Sequence, residues 1–270
     1  MDIKEIISKS DYILTFGSFL ARDNIEIQEA IIEAIAKNNA QFIYMHPIDN
    51  IDLKVYYTQF IKYEVGSEEG VASLLLETFV KESNEKIESF IEDLDIGYIS
   101  AESSAGEEEF EEAALKGNSK NAKTLIVGRD VFTHERAENI IKILSIINRY
   151  SDFNVISLEP QYNEIIEKTL DDELEEIQEL DSYNGTIIYR VYGEEDDSTL
   201  VGSESFARVA KVTDGDEIFI NNKLDKFKRV FKIDKNLMGT VALCNMKSDD
   251  TSSLSEGYRY KQVKIEKVDA

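Results

Sequence analysis

The stretch from Lys123 to Leu158, KTLIVGRDVFTHERAENIIKILSIINRYSDFNVISL, constrains the fold of this chain more than any other. An apolar run, Thr124 to Val127, stops at Gly128. An amphipathic segment then carries Ala137, Ile140, Ile141, Leu144 and Ile147 on one face, and a second apolar run follows, Phe153 to Leu158. That order predicts strand, turn, helix, strand. Two short strands joined by a helix of about four turns pair in parallel, because a parallel pair needs a crossover of about a dozen residues or more. The unit is therefore a right-handed βαβ. Its turn, GRDVFTHER, holds a single glycine where a dinucleotide fingerprint places several, for the tight turn, the pyrophosphate approach and the helix packing. The scaffold is present without the phosphate cradle.

A second unit of the same kind opens the chain. After a short helical segment, Ile3 to Ser8, the strand Tyr12 to Phe16 ends at Gly17-Ser18. The segment Asp23 to Lys37 then repeats Ile27, Ile31 and Ile35 at helical spacing, with Asp23 as its expected cap, before the strand Phe42 to Met45. His46-Pro47 closes that strand. Ligands bind at strand ends in such sheets, yet a lone histidine with no partner carboxylate or cysteine in view reads as a structural hydrogen-bonding residue. After an extended stretch, Leu53 to Tyr63, Ser67 is placed to cap a helix starting Glu68-Glu69, with Val71, Leu74, Leu75 and Phe79 on its apolar face. The two carboxylates suit the positive end of the helix dipole. The same reading puts Ser104 ahead of Glu107, Glu108 and Glu109 at a helix start and Gly117 at its left-handed C-cap. No pair of acids facing across a cleft, as a glycosidase requires, is indicated.

At 270 residues and 42% hydrophobic content the chain can bury a sizeable core. Its formal charge of −24, from 54 acidic against 30 basic residues, repels nucleic acids and anionic lipid. One cysteine, Cys244, excludes an intrachain disulfide and packs as a small apolar group. With two distant histidines, His46 and His134, it builds neither a zinc site nor an iron–sulfur cluster. The N-terminus lacks the pattern of a signal peptide and no apolar run approaches a membrane span of about 18 residues, so the expected location is cytoplasmic, without direct membrane insertion.

The acidic stretch Asp171 to Asp181, DDELEEIQELD, reads as a short surface helix or linker. Beyond it come short β-prone runs, Thr186 to Tyr192, Glu217 to Ile220, Phe227 to Ile233, Thr240 to Leu243 and Lys261 to Lys267. Asp-Gly, Asn-Asn, Met-Gly and Ser-rich turns separate them, and Ser203 to Val209 is the one helical segment. The expected fold is thus α/β: a Rossmann-like domain with a mainly parallel sheet over 1–170, an acidic linker over 171–184, and a smaller mainly-β domain over 185–270.

Several stretches resemble a known family. SDYILTFGSFLARDN, a helix, then FIYMHPIDN is similar to the α/β core of molybdopterin oxidoreductases. YMHPIDN, EVGSEEGVASLLLETF, YISAESSAGEEEFEE and LIVGRDVFTHERAENI with NVISLEP resemble its branch formed by the G subunits of bacterial NADH-quinone oxidoreductase, respiratory complex I. FARVAKVTDGDEIFI, VFKIDKNLMGTVALCN and YRYKQVKIEKV resemble that family's C-terminal β-barrel domain, which implies a double-psi-barrel-like second domain. The family's N-terminal cysteine-rich, cluster-holding domains have no counterpart, so the chain looks like a split-off or truncated equivalent.

The resemblance implies a structural, non-catalytic subunit that supports the cluster-bearing arm of a respiratory oxidoreductase. Its partners would be the other subunits of that complex, iron–sulfur clusters would sit on a partner chain, and attachment to the inner membrane would be peripheral. Molybdopterin is not expected here: Phe19 stands where the family commonly has asparagine, Asp49 and Asn50 stand in place of an arginine, and no cysteine occupies a molybdenum position. The alternative is a molybdopterin-binding subunit of a formate dehydrogenase-like enzyme, with Gly17, Ser18, His46, Gly128 and Arg129 lining the strand-end crevice. A free-standing small-molecule-binding α/β domain is a third reading. Because the resemblance begins within the family's large domain, Tyr12 to Leu20 is expected to offer an unpaired strand edge to a partner.

Overall fold

A computed structural model describes residues 2–170, 173–193, 198–222, 225–247 and 252–268. At the centre of its first part lie five parallel strands, β1 (Tyr12–Phe16), β2 (Gln41–Met45), β3 (Gln59–Ile61), β4 (Lys123–Val127) and β5 (Phe153–Ser157), in the order β3-β2-β1-β4-β5. The chain divides into two units, Met1–Ser182 and Tyr183–Ala270. The first is a Rossmann-like α/β domain and the second is mainly β.

Both expected βαβ crossovers are present. Between β1 and β2 run α2 (Leu20–Asp23) and α3 (Ile25–Asn38); between β4 and β5 run α8 (Arg129–Thr133) and α9 (Ala137–Tyr150). Before β1 comes α1 (Ile3–Lys9); between β3 and β4 come α4 (Glu68–Phe79), α5 (Glu85–Glu92), α6 (Ile96–Ser103) and α7 (Glu107–Gly117); α10 (Pro160–Lys168) follows β5. Strands of a sheet covered on both faces are apolar throughout, and β1, YILTF, is buried at every position. Alternation divides it between two cores. Tyr12, Leu14 and Phe16 join α4 and α9, while Ile13 joins α1, α3, Phe42 and Tyr44.

Several boundaries differ from the sequence reading, each for a local reason. Asn24, not Asp23, caps α3 by accepting the Ile27 amide at 3.3 Å, because Asp23 is turned back to accept the Phe19 amide at 3.0 Å. Ser67 precedes α4 without capping it; its hydroxyl donates to Glu64 O at 2.6 Å. Ser104 is the left-handed residue that ends α6 (φ 53°), and α7 starts after Gly106, whose amide donates to Glu109 Oε2 at 2.9 Å. Gly117 is the last helical residue of α7 and is not left-handed. It is small because the Tyr12 ring lies on it: a Cβ there would sit 3.1 Å from Tyr12 Cζ. Within Leu53–Tyr63 only β3 is extended, after a 3-10 turn at Ile51–Leu53.

The expectation that Tyr12 to Leu20 offers a free edge is overturned. β1 is the central strand, paired along its whole length with β2 on one side and β4 on the other, and residues 12–20 are buried. The chain leaves β1 to build β2 and β3 on one side and returns past it to build β4 and β5 on the other, so β1 cannot be an edge. The edges are β3 and β5, and β5 is closed. Its alternate amides donate to side chains, Phe153 to Ser151 Oγ (3.2 Å), Val155 to Asn148 Oδ1 (3.0 Å) and Ser157 to Asn163 Oδ1 (2.8 Å). A row of backbone donors satisfied in this way is no template for another strand.

Asp171 and Asp172, which open the acidic stretch, lie outside the described residues. From 173 to 182 the stretch is neither helical nor detached. Leu174 and Ile177 pack against the first core, Leu180 is buried, and Asn139 pairs with the Glu175 backbone in both directions, at 2.9 and 3.1 Å. Spacing three in the apolar residues here marks anchor points of a non-helical strap.

The second unit is a seven-stranded mixed sheet. Its strands are β6 (Ile187–Gly193), β7 (Thr199–Gly202), β8 (Glu217–Asn221), β9 (Lys226–Ile233), β10 (Val241–Lys247), β11 (Tyr260–Gln262) and β12 (Lys264–Lys267), in the order β11-β6-β10-β7-β9-β8-β12. The strand β7 escaped the sequence reading, and the expected last strand is two, β11 on β6 and β12 on β8. Part of the Ser-rich turn after β10 and part of the Asn-Asn turn after β8 lie outside the described residues. The helix α11 (Glu204–Ala210) is capped by Ser203, whose hydroxyl accepts the Phe206 amide at 2.9 Å. Cys244 is fully buried beside Met246 in this core. Two buried arginines cross-brace β6 and the Arg259 segment: Arg190 Nε donates to Arg259 O (3.2 Å), Arg259 Nε donates to Arg190 O (3.1 Å), and the Arg259 guanidinium lies 4.3 Å from the Tyr189 ring centroid.

Burial holds the phenols of Tyr12, Tyr44 and Tyr63 above their ordinary value of 10. The folded chain keeps these protons while the unfolded chain loses them near that value, so the stability they contribute is complete below pH 10 and declines above it. A spectrophotometric titration at the phenolate band should show the exposed tyrosines first and these three only together with loss of far-ultraviolet dichroism. Smooth titration of all 13 tyrosines in a still-folded chain would contradict the packing described.

Candidate functional site

In an open parallel sheet the ligand crevice lies outside the carboxyl ends of the two strands at which the order reverses. Here those strands are β1 and β4. Gly17 follows β1 in a left-handed conformation (φ +66°), which leads the chain directly across to the turn after β4. A Cβ on Gly128 would fall 2.1 Å from Gly17 O and 2.4 Å from Ser18 Cβ. The two turns therefore touch backbone to backbone. The Gly128 amide donates to Phe16 O (2.8 Å) and the Asp130 amide to Gly17 O (3.2 Å), so a donor at the start of α8 is already occupied by a carbonyl.

Around this contact the strand ends carry a buried polar cluster. His46, after β2, is 0% exposed and lies between the rings of Phe19 and Tyr44, with centroids at 5.7 and 5.8 Å. The Ile48 amide donates to its Nδ1 at 3.0 Å, which leaves Nε2–H to donate to Asp130 Oδ2 at 3.1 Å. Asp130 is itself 0% exposed. Burial raises the Tyr63 phenol, and the negative charge of Glu68 and Asp130 adds to that shift. Burial likewise comes first for Tyr44, followed by Asp23, Asp130 and Asp49.

A second group joins the start of α4 to the start of α9. Glu68 and Glu69 are in the first turn of α4 as the sequence indicates, yet both are buried. Glu69 takes Arg136 Nε on both oxygens (3.0 and 3.2 Å) and Asn139 Nδ2 at 2.7 Å. Arg136 also donates to Glu175 and to Glu176 O of the strap. His134 donates through Nε2 to Gly66 O (3.0 Å), accepts the Arg136 amide on Nδ1 (3.0 Å), and has Glu68 Oε2 at 3.7 Å. Burial lowers its pKa below 6.5, against the opposing pull of the Gly66 carbonyl and then Glu69.

The structure brings Gly17, Ser18, His46 and Gly128 together and buries all four; Arg129 is exposed. These residues do not fit a pyrophosphate-bearing cofactor. The space a phosphate would need next to Gly128 holds the Gly17 carbonyl, the Phe19 ring stacks on His46, and the buried acidic group beside them is a carboxyl, Asp130. His46 is hydrogen-bonded through both ring nitrogens, and it has a partner carboxylate, Asp130, that the sequence reading did not find. Asp130 was missed because the two positions are 84 residues apart. The Glu69–Arg136–Asn139 group has no local signal either, since only folding brings α4 to α9.

Among the described residues no group of three or more His, Cys, Asp or Glu side chains is placed to hold a metal ion, and no helix is long and apolar enough to cross a membrane. A cleft of about 480 Å³ lies away from the strand ends, between α5, α6 and the strap. Comparison with models of known protein families and with curated proteins finds no match to this chain.

Two stability measurements test this geometry. His46→Phe keeps a ring in the aromatic stack but removes the imidazole donor from the Asp130 carboxylate, which should cost about 1.5–3 kcal/mol in denaturant unfolding. Asp130→Asn keeps an oxygen acceptor and should cost no more than about 1.5 kcal/mol. Equal losses would mean that the pair is not the stabilising contact. For His134 the unfolded imidazole gains its proton near pH 6.5 and the folded one only at lower pH. Stability is thus complete above pH 6.5 and is lost as pH falls through the folded value. His134→Gln should flatten the decline in melting temperature below about pH 6.5; an unchanged slope would assign that decline to other groups.

Proposed function

We propose that this chain is a structural, non-catalytic subunit of a complex I-type NADH-quinone oxidoreductase, resembling its G subunit, and that it supports the polypeptide bearing the iron–sulfur clusters. The observation that carries the reading is the filled crevice at the β1/β4 switch point. The position where sheets of this order hold a cofactor is occupied by the Gly17–Gly128 contact and the Phe19–His46–Asp130 stack. Support also comes from the motifs at both strand ends, GSFLARDN and YMHPIDN, and from a mainly-β unit after the α/β unit. A chain that keeps the scaffold of a cofactor-binding domain and packs its ligand space with side chains serves by its shape and surface. In this role it would sit at the cytoplasmic side of the inner membrane, held there through the complex. The polar cluster at the strand ends then holds segments of the α/β unit together and takes no part in electron transfer.

The test is affinity purification of the tagged full chain from mildly solubilised native membranes. Cluster-bearing polypeptides and quinone reductase activity should co-purify, and a complex containing Asp130→Asn should turn over at the wild-type rate. A lone cofactor-free monomer, a pterin fluorophore released by oxidation, or a fall in turnover without loss of assembly would each overturn the proposal.

A further inference from the structure

The cleft between α5, α6 and the strap has an apolar floor and an acidic rim. Phe90, Leu94, Tyr98 and Ile99 line it from the helices, and Leu174 and Ile177 from the strap. All but Ile99 are only partly buried, although they pack on the first core. A neighbouring cleft of about 540 Å³ shares Phe90 and Leu174, so the groove continues along α5. At its rim stand Asp93, Asp95 and Glu176, all exposed. Lys86 and Glu173 pair with each other at 3.0 Å in the neighbouring cleft. Among the described residues none of the three rim carboxylates has an ion-pair partner. Asp95 keeps its cap on α6, accepting the Tyr98 amide at 3.0 Å.

We infer that this groove is a docking site for a basic amphipathic helix of a partner protein. The apolar floor takes the anchors of such a helix at its i, i+3, i+4 and i+7 positions, and the rim carboxylates meet lysines or arginines flanking those anchors. Size favours a polypeptide. Single small-molecule pockets hold about 300–1,000 Å³, and the two adjoining clefts of about 480 and 540 Å³ together reach the end of that range as an open trough. Charge decides the sign, since a chain of net charge −24 with unneutralised acids around its apolar groove excludes an acidic partner. The inference is drawn from the groove alone, so its test uses the purified full chain and does not depend on co-purification with respiratory subunits.

The probe is a fluorescent Leu/Lys peptide in amphipathic helical register, compared with its Leu/Glu twin and with a peptide of the same composition in scrambled order. Anisotropy at about 0.15 M salt should show binding of the first peptide alone. Joint substitution Asp93→Asn, Asp95→Asn and Glu176→Gln should weaken it about tenfold. The cap at residue 95 survives because asparagine serves there as well as aspartate, so melting of the variant should be unchanged. Neutralising Glu29, Glu33 and Glu111 to glutamine alters net charge equally and should weaken binding by less than about twofold. A photoreactive version of the peptide should cross-link within 85–99 or 173–177. Equal weakening by both sets of substitutions, equal binding of the scrambled peptide, or cross-links on the second unit or on another copy of the chain would overturn the inference.

Discussion

The contact between Gly17 and Gly128 governs the arrangement of the α/β unit. A left-handed residue at the end of β1 turns its carbonyl into the space where any side chain at 128 would begin, 2.1 Å away. Both positions therefore require glycine, one for its conformation and the other for lack of room. Backbone contact in turn fixes the start of α8, because the Asp130 amide is bound to the Gly17 carbonyl. That register carries the Asp130 carboxylate to His46 at the end of the neighbouring β2. Strand ends that in other sheets of this order stay apart to admit a ligand are here joined by a turn, a ring stack and a buried hydrogen bond.

Buried polar groups elsewhere in the unit follow the same logic of linking distant segments. Glu69 is held by Arg136 and Asn139, and these two residues also grip the strap at Glu175 and Glu176. One carboxylate thus joins α4, α9 and a stretch more than a hundred residues beyond it in sequence. Desolvating such a group is costly unless its oxygens are filled, and Glu69 accepts three donor contacts from Arg136 and Asn139. The side-chain caps on β5 act in the opposite sense: Ser151, Asn148 and Asn163 occupy the outward amides and end the sheet. The unit is in this way closed at β5, filled at its strand ends, and open along α5 and α6.

Periodicity in the sequence determined the fold class, both βαβ crossovers, most strands of the second unit and the presence of α11. Those features rest on side chains within a few residues of one another, where spacing alone states which face is buried. The glycines at both turns and the histidine at a strand end were equally legible. Tertiary structure decided what these residues do. The side of β1 that β4 would join, the carboxylate facing His46, the ring that makes Gly117 necessary and the acid held by Arg136 all involve partners tens of residues apart. For such contacts the sequence holds no spacing to read, because the distance between partners is set by the packing of whole helices and strands. The acidic stretch shows the limit most clearly: its charge and its spacing of three suit a surface helix, yet residues 173–182 form no helix and are tied down by Asn139 and Arg136, neither of which is near them in the chain.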